Sequence, residues 1–411
     1  GVQTCALPIS PEFASKTVEY REPATPTEAG VVAIFADLLG QDRVGADDGF
    51  FELGGNSLLA TRVVARINAE HGIAIDPKGN IWIGGNQTQT GRDNSPADGQ
   101  ILKFTADGKF LMQIGHAGPV ANSRSNKAQA LAPVRFFNPL AMKFAKHADR
   151  DDINDVIAAH AAAARFAIDA GFDAVEIHLG HNYLASSFLS PLVNRRTDEF
   201  GGSLENRAKV ARGVVLAVRR EVERLGPAPI AVTAKLNMSD GVRGGISVEE
   251  ALQTAKWLQD DGGLDALELT AGSSLLNPMY LFRGDAPLKE FAAAQKPPIS
   301  WGMRMTGNKF LREYPYQDAY LLRDAMRFRK ELTLPLILLG GVTNRETMDR
   351  AMADGFEFVA MGRALLAEPD LLNRIQADGD AHSVKSLCTH CNKCMPTIYS
   401  RTLCVVTGAP G

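Results

Sequence analysis

The chain has 411 residues, more than one average domain and enough for two or three. Hydrophobic residues make up 45% and charged residues 22%, the texture of a globular chain with ample material for a core. Its 44 basic and 47 acidic residues leave a net charge of -3, which argues against a nucleic-acid partner, since that would need a basic face.

The longest apolar stretch, "LTLPLILLGGV", is far too short for a membrane span and holds a proline. The opening "GVQTCALPIS" lacks the basic residues and long apolar region of a secretory signal. A cytoplasmic chain with no membrane partner is the expectation. Residues 1–22 carry no periodic pattern and read as unstructured.

Residues 23–72 read as helices. Val31, Val32, Ile34, Phe35, Leu38 and Leu39 recur at helical spacing, as do Leu58, Leu59, Val63, Val64 and Ile67. Between them runs "DDGFFELGGNS", a loop that closes on two glycines before Ser57. A lone serine here would read as a helix N-cap. The longer string "FFELGGNSLLATR", however, resembles the carrier domain of non-ribosomal peptide synthetases. That resemblance implies a phosphopantetheine arm on the Ser57 hydroxyl, exposed where a loop enters a helix. The further helices of the carrier bundle are missing, so the domain reads as partial.

From residue 73 to 120 the texture turns to β. "IAIDPKGNIWIGG" and "GQILKFTADGKFLMQIG" show short alternating strands around turn sequences. The pair resembles a single blade of an NHL-type propeller, with Trp82 and Phe104 as core residues. One blade cannot close a ring. Residues 121–134 read as a linker.

Residues 135–380 alternate helix and strand. Ile153, Val156, Ile157, Ala161, Ala164 and Ile168 mark a helix that ends at Gly171, before the strand "FDAVEIH". Helices over 203–224, 247–260, 317–331 and 344–354 precede the strands "PIAVTAKLN", "LDALELTAG", "LPLILLGG" and "FEFVAMGRA". These five aliphatic βα units predict an α/β fold with a parallel sheet or barrel.

The stretch "HLGHNYLASSFLSPLVNRRTDEFGGSLENR" resembles the signature of the Old Yellow Enzyme (NADH:flavin oxidoreductase) family of FMN-dependent (β/α)8-barrel reductases. The likeness runs on through "GGVTN" and "FEFVAMGRALLAEPDLL" to the terminal cysteines. It implies an incomplete TIM barrel, with five of the eight strands such a barrel needs. It also implies a reductase that passes hydride from NAD(P)H through FMN to an enone or enoyl small molecule.

His178 and His181 then match the pair that hydrogen-bonds the substrate carbonyl and stabilises its developing enolate. Tyr183 matches the proton donor, a phenol that stays protonated at neutral pH because its pKa is near ~10. Taken alone, two histidines three apart read better as a satisfied structural pair, and poorly as a zinc site; the surrounding thirty residues reverse that preference. Lys235 matches the cation beside the flavin N1/C2 carbonyl. Gly340 and Gly341, with Gly362 and Arg363, match a phosphate grip on the last two barrel loops. The charged "NRRTDEFGGSLENR" reads as an ordering element below the histidines, with Ser203 as a helix cap.

Residues 381–411 hold Cys388, Cys391, Cys394 and Cys404, while Cys5 stands apart. Such a cluster reads as a metal site in a reducing compartment rather than a disulfide framework. "CTHCNKCMPTIYSRTLC" resembles the [4Fe–4S] segment of the dienoyl-CoA reductase branch, although zinc or packed thiols also fit. The first three barrel strands, and the glutamine that reads the flavin's pyrimidine edge, find no match before residue 135, so the chain reads as a chimera of three fragments. Phosphopantetheinyl transferase with its cofactor is expected to add one phosphopantetheinyl mass at Ser57, and an unchanged mass counts against the carrier reading.

Overall fold

The computed structural model describes residues 110–121, 129–138, 141–169, 172–226, 230–377, 383–399 and 402–408, with short pieces at 21–23, 32–33, 35–36, 40–41, 43–45, 73–75, 81–83 and 102–104. The chain divides into two compact units, Gly1–Gly79 and Asn80–Gly411. In the first, residues 32–33 and 35–36 are helical, as their spacing predicts, and Ile73–Ile75 forms strand β1. Ser57, Cys5 and most of the expected carrier domain lie outside the described residues, as do the side chains of Trp82 and Phe104.

The second unit is built on one seven-stranded sheet. Its strands in chain order are β2 (Ile81–Ile83, outside this sheet), β3 (Leu102–Phe104), β4 (Phe110–Ile114), β5 (Leu131–Ala132), β6 (Phe136–Asn138), β7 (Lys143–His147), β8 (Ala174–Leu179), β9 (Ala231–Asn237), β10 (Ala266–Thr270), β11 (Leu336–Leu339) and β12 (Phe358–Ala360). The sheet runs β12-β11-β10-β9-β8-β4-β3. β4 and β8 to β12 are parallel, and β3 closes the edge as an antiparallel hairpin partner of β4. A smaller sheet, β5-β7-β6, follows β4.

Two expectations change here. The parallel part of the sheet has six strands rather than five, because Phe110–Ile114 pairs in parallel with β8. That strand therefore belongs to the half-barrel and not to a separate propeller blade. The error has a physical source: the turn chemistry of a β3–β4 hairpin is real, but it says nothing about what lies on the far edge of β4. Residues 131–147 likewise form a sheet where a linker running into the barrel was expected.

The second unit has ten described α-helices, of which the first, third, fourth, seventh and eighth fall close to where periodicity placed them. They are α1 (Arg150–Asp169), α2 (Leu184–Leu189), α3 (Leu204–Arg224), α4 (Val248–Asp260), α5 (Leu288–Ala293), α6 (Ile299–Thr306), α7 (Leu322–Glu331), α8 (Arg345–Ala353), α9 (Arg363–Ala367) and α10 (Leu371–Ala377). Ser203 caps α3 by accepting from Asn206 N. A capping box of Ser247 and Glu250 opens α4, with both reciprocal bonds formed. Among the described residues no helix is long and apolar enough to cross a membrane.

The pleat gives the sheet two unlike faces. Val175, Ile177, Leu179, Val232, Ala234, Leu236, Leu267, Leu269, Leu336 and Leu338 point one way and pack in a single cluster with the inner stripes of α1, α3, α4 and α7. Each fully buried aliphatic side chain there contributes roughly 1.5–3 kcal/mol. The other face carries Gln113, Glu176, His178, Thr233, Lys235, Asn237, Glu268 and Thr270, in register across β4, β8, β9 and β10. Phe328 of α7 is completely buried against the apolar face. Phe328→Ala is expected to cost about 3–5 kcal/mol in denaturant unfolding with an unchanged slope, the cost of a large core cavity.

Candidate active site

The carboxyl ends of β8, β9 and β10 deliver the polar side chains. His178 is the penultimate residue of β8 and sits opposite Lys235 of β9, which in turn sits opposite Glu268 of β10. Beyond β8 the chain turns sharply, with His181 and Asn182 both left-handed at φ 59° and 57°. Non-glycine residues rarely hold that conformation, and it costs free energy unless the surroundings impose it.

Here the surroundings do. Asn237 Oδ1 accepts the His181 backbone N–H at 3.0 Å, and Asn182 is bonded to Asp240 and to Ser273. Asp240 also accepts from Asn237 Nδ2 at 3.0 Å and from Ile246 N at 3.1 Å. The turn is thus fastened to the loops after β9 and β10. From the other side, Leu184 N donates to His116 O at 2.9 Å, just after β4. The chain passes so close at this point that a Cβ on Gly118 would lie 2.6 Å from Leu184 Cα. Only glycine fits there, at φ +58°.

The imidazoles are hydrogen-bonded to each other, His181 Nδ1 to His178 Nε2, at 3.2 Å. Their order follows from the ends of the chain of bonds. Gly180 N–H donates to His178 Nδ1 at 3.2 Å, which leaves the proton on Nε2 of a neutral ring. His178 Nε2–H then donates to His181 Nδ1, and His181 Nε2–H to Thr270 Oγ1 at 2.9 Å. Both rings are buried, and burial together with the neighbouring His178 and Lys235 holds His181 well below the usual histidine range. The sequence expectation aimed both donors at one substrate oxygen. In this arrangement the donors are joined in series, because the left-handed turn tips the second ring toward β10.

Tyr183 follows at once, its ring 4.6 Å from that of His178. Burial pushes its phenol above the ordinary tyrosine range, against a hydrogen bond with Ser274 and the charge of Lys235. The three side chains singled out in "HLGHNYL" therefore meet at the mouth of the polar face, with Lys235 below them.

Lys235 is held between two fully buried carboxylates, 3.0 Å from Glu268 Oε1 and 3.3 Å from Glu176 Oε1. Although burial opposes it, this pair of carboxylates keeps the ammonium charged, with its pKa raised above the lysine range. Glu176 Oε1 also accepts from Gln113 Nε2. The glutamine expected on a missing strand thus has a counterpart, Gln113 on β4, which sequence reasoning had placed in the propeller blade. Glu176 and Glu268 were missed as well. Their signal was present, since acidic residues interrupt the apolar strands "AVEIHL" and "ALELT" at positions on the same face of the sheet.

The phosphate-grip residues are placed differently from expectation. A Cβ on Gly340 would meet Leu321 Cγ at 2.7 Å, and one on Gly341 would meet Gln317 O at 2.7 Å. These glycines let the loop after β11 pack against residues 317–321, with φ +103° and +78°. Gly362 has open space around its Cβ position. Arg363 donates to Arg283 O at 2.9 Å, to Asn392 Oδ1, and to Tyr320 Oη at 3.4 Å. These bonds take three of the five N–H groups of a guanidinium.

Arg363 shares a small cavity with Cys388, Cys391, Cys394 and Cys404, not with the imidazoles. Burial raises the Cys388 thiol and pushes Cys394 up to about 11. The expected metal set is not assembled: among the described residues no three His, Cys, Asp or Glu side chains are arranged to hold a metal ion. The Asn392 side chain fastens the left-handed turn at 390–392 to Phe282 O and Asp285 O.

A polar strand face carrying a fixed cation and an amide, capped by two neutral imidazoles and a phenol, is what comparison with known proteins bears on. Residues 29–78 match the family model of the phosphopantetheine attachment site. Residues 104–270 match that of the NADH:flavin oxidoreductase / NADH oxidase family. The chain is 50% identical over 297 residues to 4,4'-dithiodibutanoate disulfide reductase of Rhodococcus erythropolis, covering 72% of each. It is 34% identical over 191 residues to NADPH dehydrogenase of Bacillus cytotoxicus, covering 45% of this chain and about half (52%) of that protein. The structure of a 2-naphthoyl-CoA reductase complex superposes with a TM-score of 0.57 at 21% identity over 73% of this chain and 42% of that one, which shows a shared fold. With residues 104–270 matching that family model and 50% identity to a reductase over 72% of each chain, the chain belongs to the NADH:flavin oxidoreductase / NADH oxidase family.

Proposed function

We propose that the chain reduces an activated carbon–carbon double bond, with FMN as the hydride carrier and NAD(P)H as the reductant. The observation that supports this reading best is Lys235, a buried cation held at the centre of a polar sheet face beneath His178, His181 and Tyr183. The residues fit a flavin. Lys235 and Gln113 would face the pyrimidine edge, where a cation stabilises the charge of the reduced ring. Gly362, with open space at its Cβ position, would leave room for the phosphate. Bound FMN would supply hydride to the substrate's β-carbon.

The chain's own residues supply the rest. A carbonyl oxygen reaching the imidazoles would take the His181 Nε2–H from Thr270 Oγ1 and so gain a neutral donor as negative charge builds on it. Tyr183 would pass its phenolic proton to the α-carbon, and its raised pKa keeps that proton in place throughout the neutral range. Burial of both imidazoles and partial burial of Tyr183 would limit water around the proton's path.

A second reading is favoured by the 50% identical relative, a disulfide reductase. Here the acceptor would be a low-molecular-weight disulfide, cleaved to two thiols. Side-by-side NAD(P)H oxidation assays with 2-cyclohexenone and with 4,4'-dithiodibutanoate separate the two readings. Ser57 would carry phosphopantetheine in either case.

Y183F is expected to slow reoxidation of the reduced protein by the alkene about 100-fold or more, the range of a lost general acid, while reduction by NAD(P)H is unchanged. Equal rates of reoxidation in both proteins would overturn the proton-donor role, and a colourless purified protein that takes up no FMN would overturn the flavin reading itself.

Buried His160 and His181 both lie below the histidine range. Below pH ~6.5 the unfolded chain binds protons that the folded chain refuses, so stability is complete above that pH and declines as pH falls. The melting temperature is therefore expected to drop from pH 7.5 to pH 5, and less steeply in H181N.

A further inference from the structure

Glu176 and Glu268 touch no reacting atom in this scheme, yet both are completely buried. They flank Lys235 from opposite sides, Glu176 on β8 and Glu268 on β10. A single carboxylate would be enough to keep the ammonium charged. A lysine is a point charge on a flexible four-carbon stem, and one partner leaves it free to swing. A second carboxylate on the other flank removes that freedom. The two ion-pair contacts, at 3.3 and 3.0 Å, hold the ammonium between the flanking strands. Glu176 Oε1 does more, since the same oxygen accepts the amide N–H of Gln113. One carboxylate thereby ties the orientation of the amide on β4 to that of the cation on β9.

We propose that Glu176 and Glu268 are positioning residues for flavin recognition: they clamp Lys235 between β8 and β10, and Glu176 aligns Gln113 with it, so that the ammonium and one amide present a fixed pair to the pyrimidine edge. This rests on the assignment of Lys235 and Gln113 to the flavin ring. It gives the two acidic interruptions of the barrel strands a task that burial alone does not explain, because a buried ion pair gains little stability over apolar packing.

The test is a double-mutant cycle on FMN affinity, measured by quenching of flavin fluorescence as the apoprotein is titrated, with melting temperatures taken in parallel. E176Q keeps the shape and the hydrogen bonding to Gln113 but removes the charge. It is expected to weaken FMN binding about ten-fold, the scale of one hydrogen bond to a charged group, and E268Q by a similar factor. If the carboxylate acts through the cation, E176Q adds less than about two-fold in a K235M background. Losses that multiply in the double variant would overturn the proposal, as would an E176Q protein that melts normally and binds FMN as tightly as the parent. Should K235M itself bind FMN normally, the assignment of Lys235 falls first. A parent chain that binds no FMN would instead reject the flavin reading on which both stand.

Discussion

A lysine charge buried in the middle of a sheet dictates much of what surrounds it. Moving an ammonium out of water costs several kcal/mol, and only close, well-directed counter-charges return that cost. Lys235 finds them on both neighbouring strands, and the register that puts Glu176, Lys235 and Glu268 on one face is the same register that brings β8, β9 and β10 into one parallel sheet. A slip of one residue in any of the three would turn the charged group into the aliphatic cluster on the opposite face. The polar face thus acts as a lock on strand alignment, and the strand ends that carry His178, Asn237 and Thr270 inherit that alignment.

The turn after β8 depends on those ends. Two consecutive left-handed residues, His181 and Asn182, are retained because Asn237, Asp240 and Ser273 supply partners from two other loops. Asp240 is the joint of this network. Burial raises its carboxyl above the usual range although four hydrogen-bonding groups act to lower it. The result is a rigid platform on which an imidazole pair and a phenol sit edge to edge, with protons directed in one sense from His178 to Thr270. Side chains placed by strand termini in this way need few loops of their own.

The C-terminal segment shows the same economy with a different outcome. Asn392 bonds to the carbonyls of Phe282 and Asp285 and to Arg363, while His390 stacks on Tyr316 with ring centroids 3.4 Å apart. The tail is thereby drawn onto the loop after β10 and onto α9. Its four cysteines line the cavity that results, and the arginine that loop chemistry would give to a phosphate becomes a strut for the tail.

Periodicity located five of the helices between residues 150 and 353 and the strand after each, because apolar spacing reports directly on which side of an element is buried, but not the short helices in the loops. The residues of "HLGHNYL" were also legible, since their chemistry is local to one strand end and its turn. What the sequence could not show was partnership across the chain. Gln113 faces Glu176 across 63 positions, and His181 meets Thr270 across 89. The β3–β4 hairpin looked self-sufficient because its turn residues are local, whereas its membership of the barrel sheet is decided by a parallel contact with β8. Gly340 and Gly341 looked like ligand contacts because sequence reveals that a Cβ is excluded but not by what; only the packed chain shows that residues 317–321 fill that space. Local chemistry is written in neighbouring residues, while the pairing of distant ones depends on the tertiary packing that sets strand order and register.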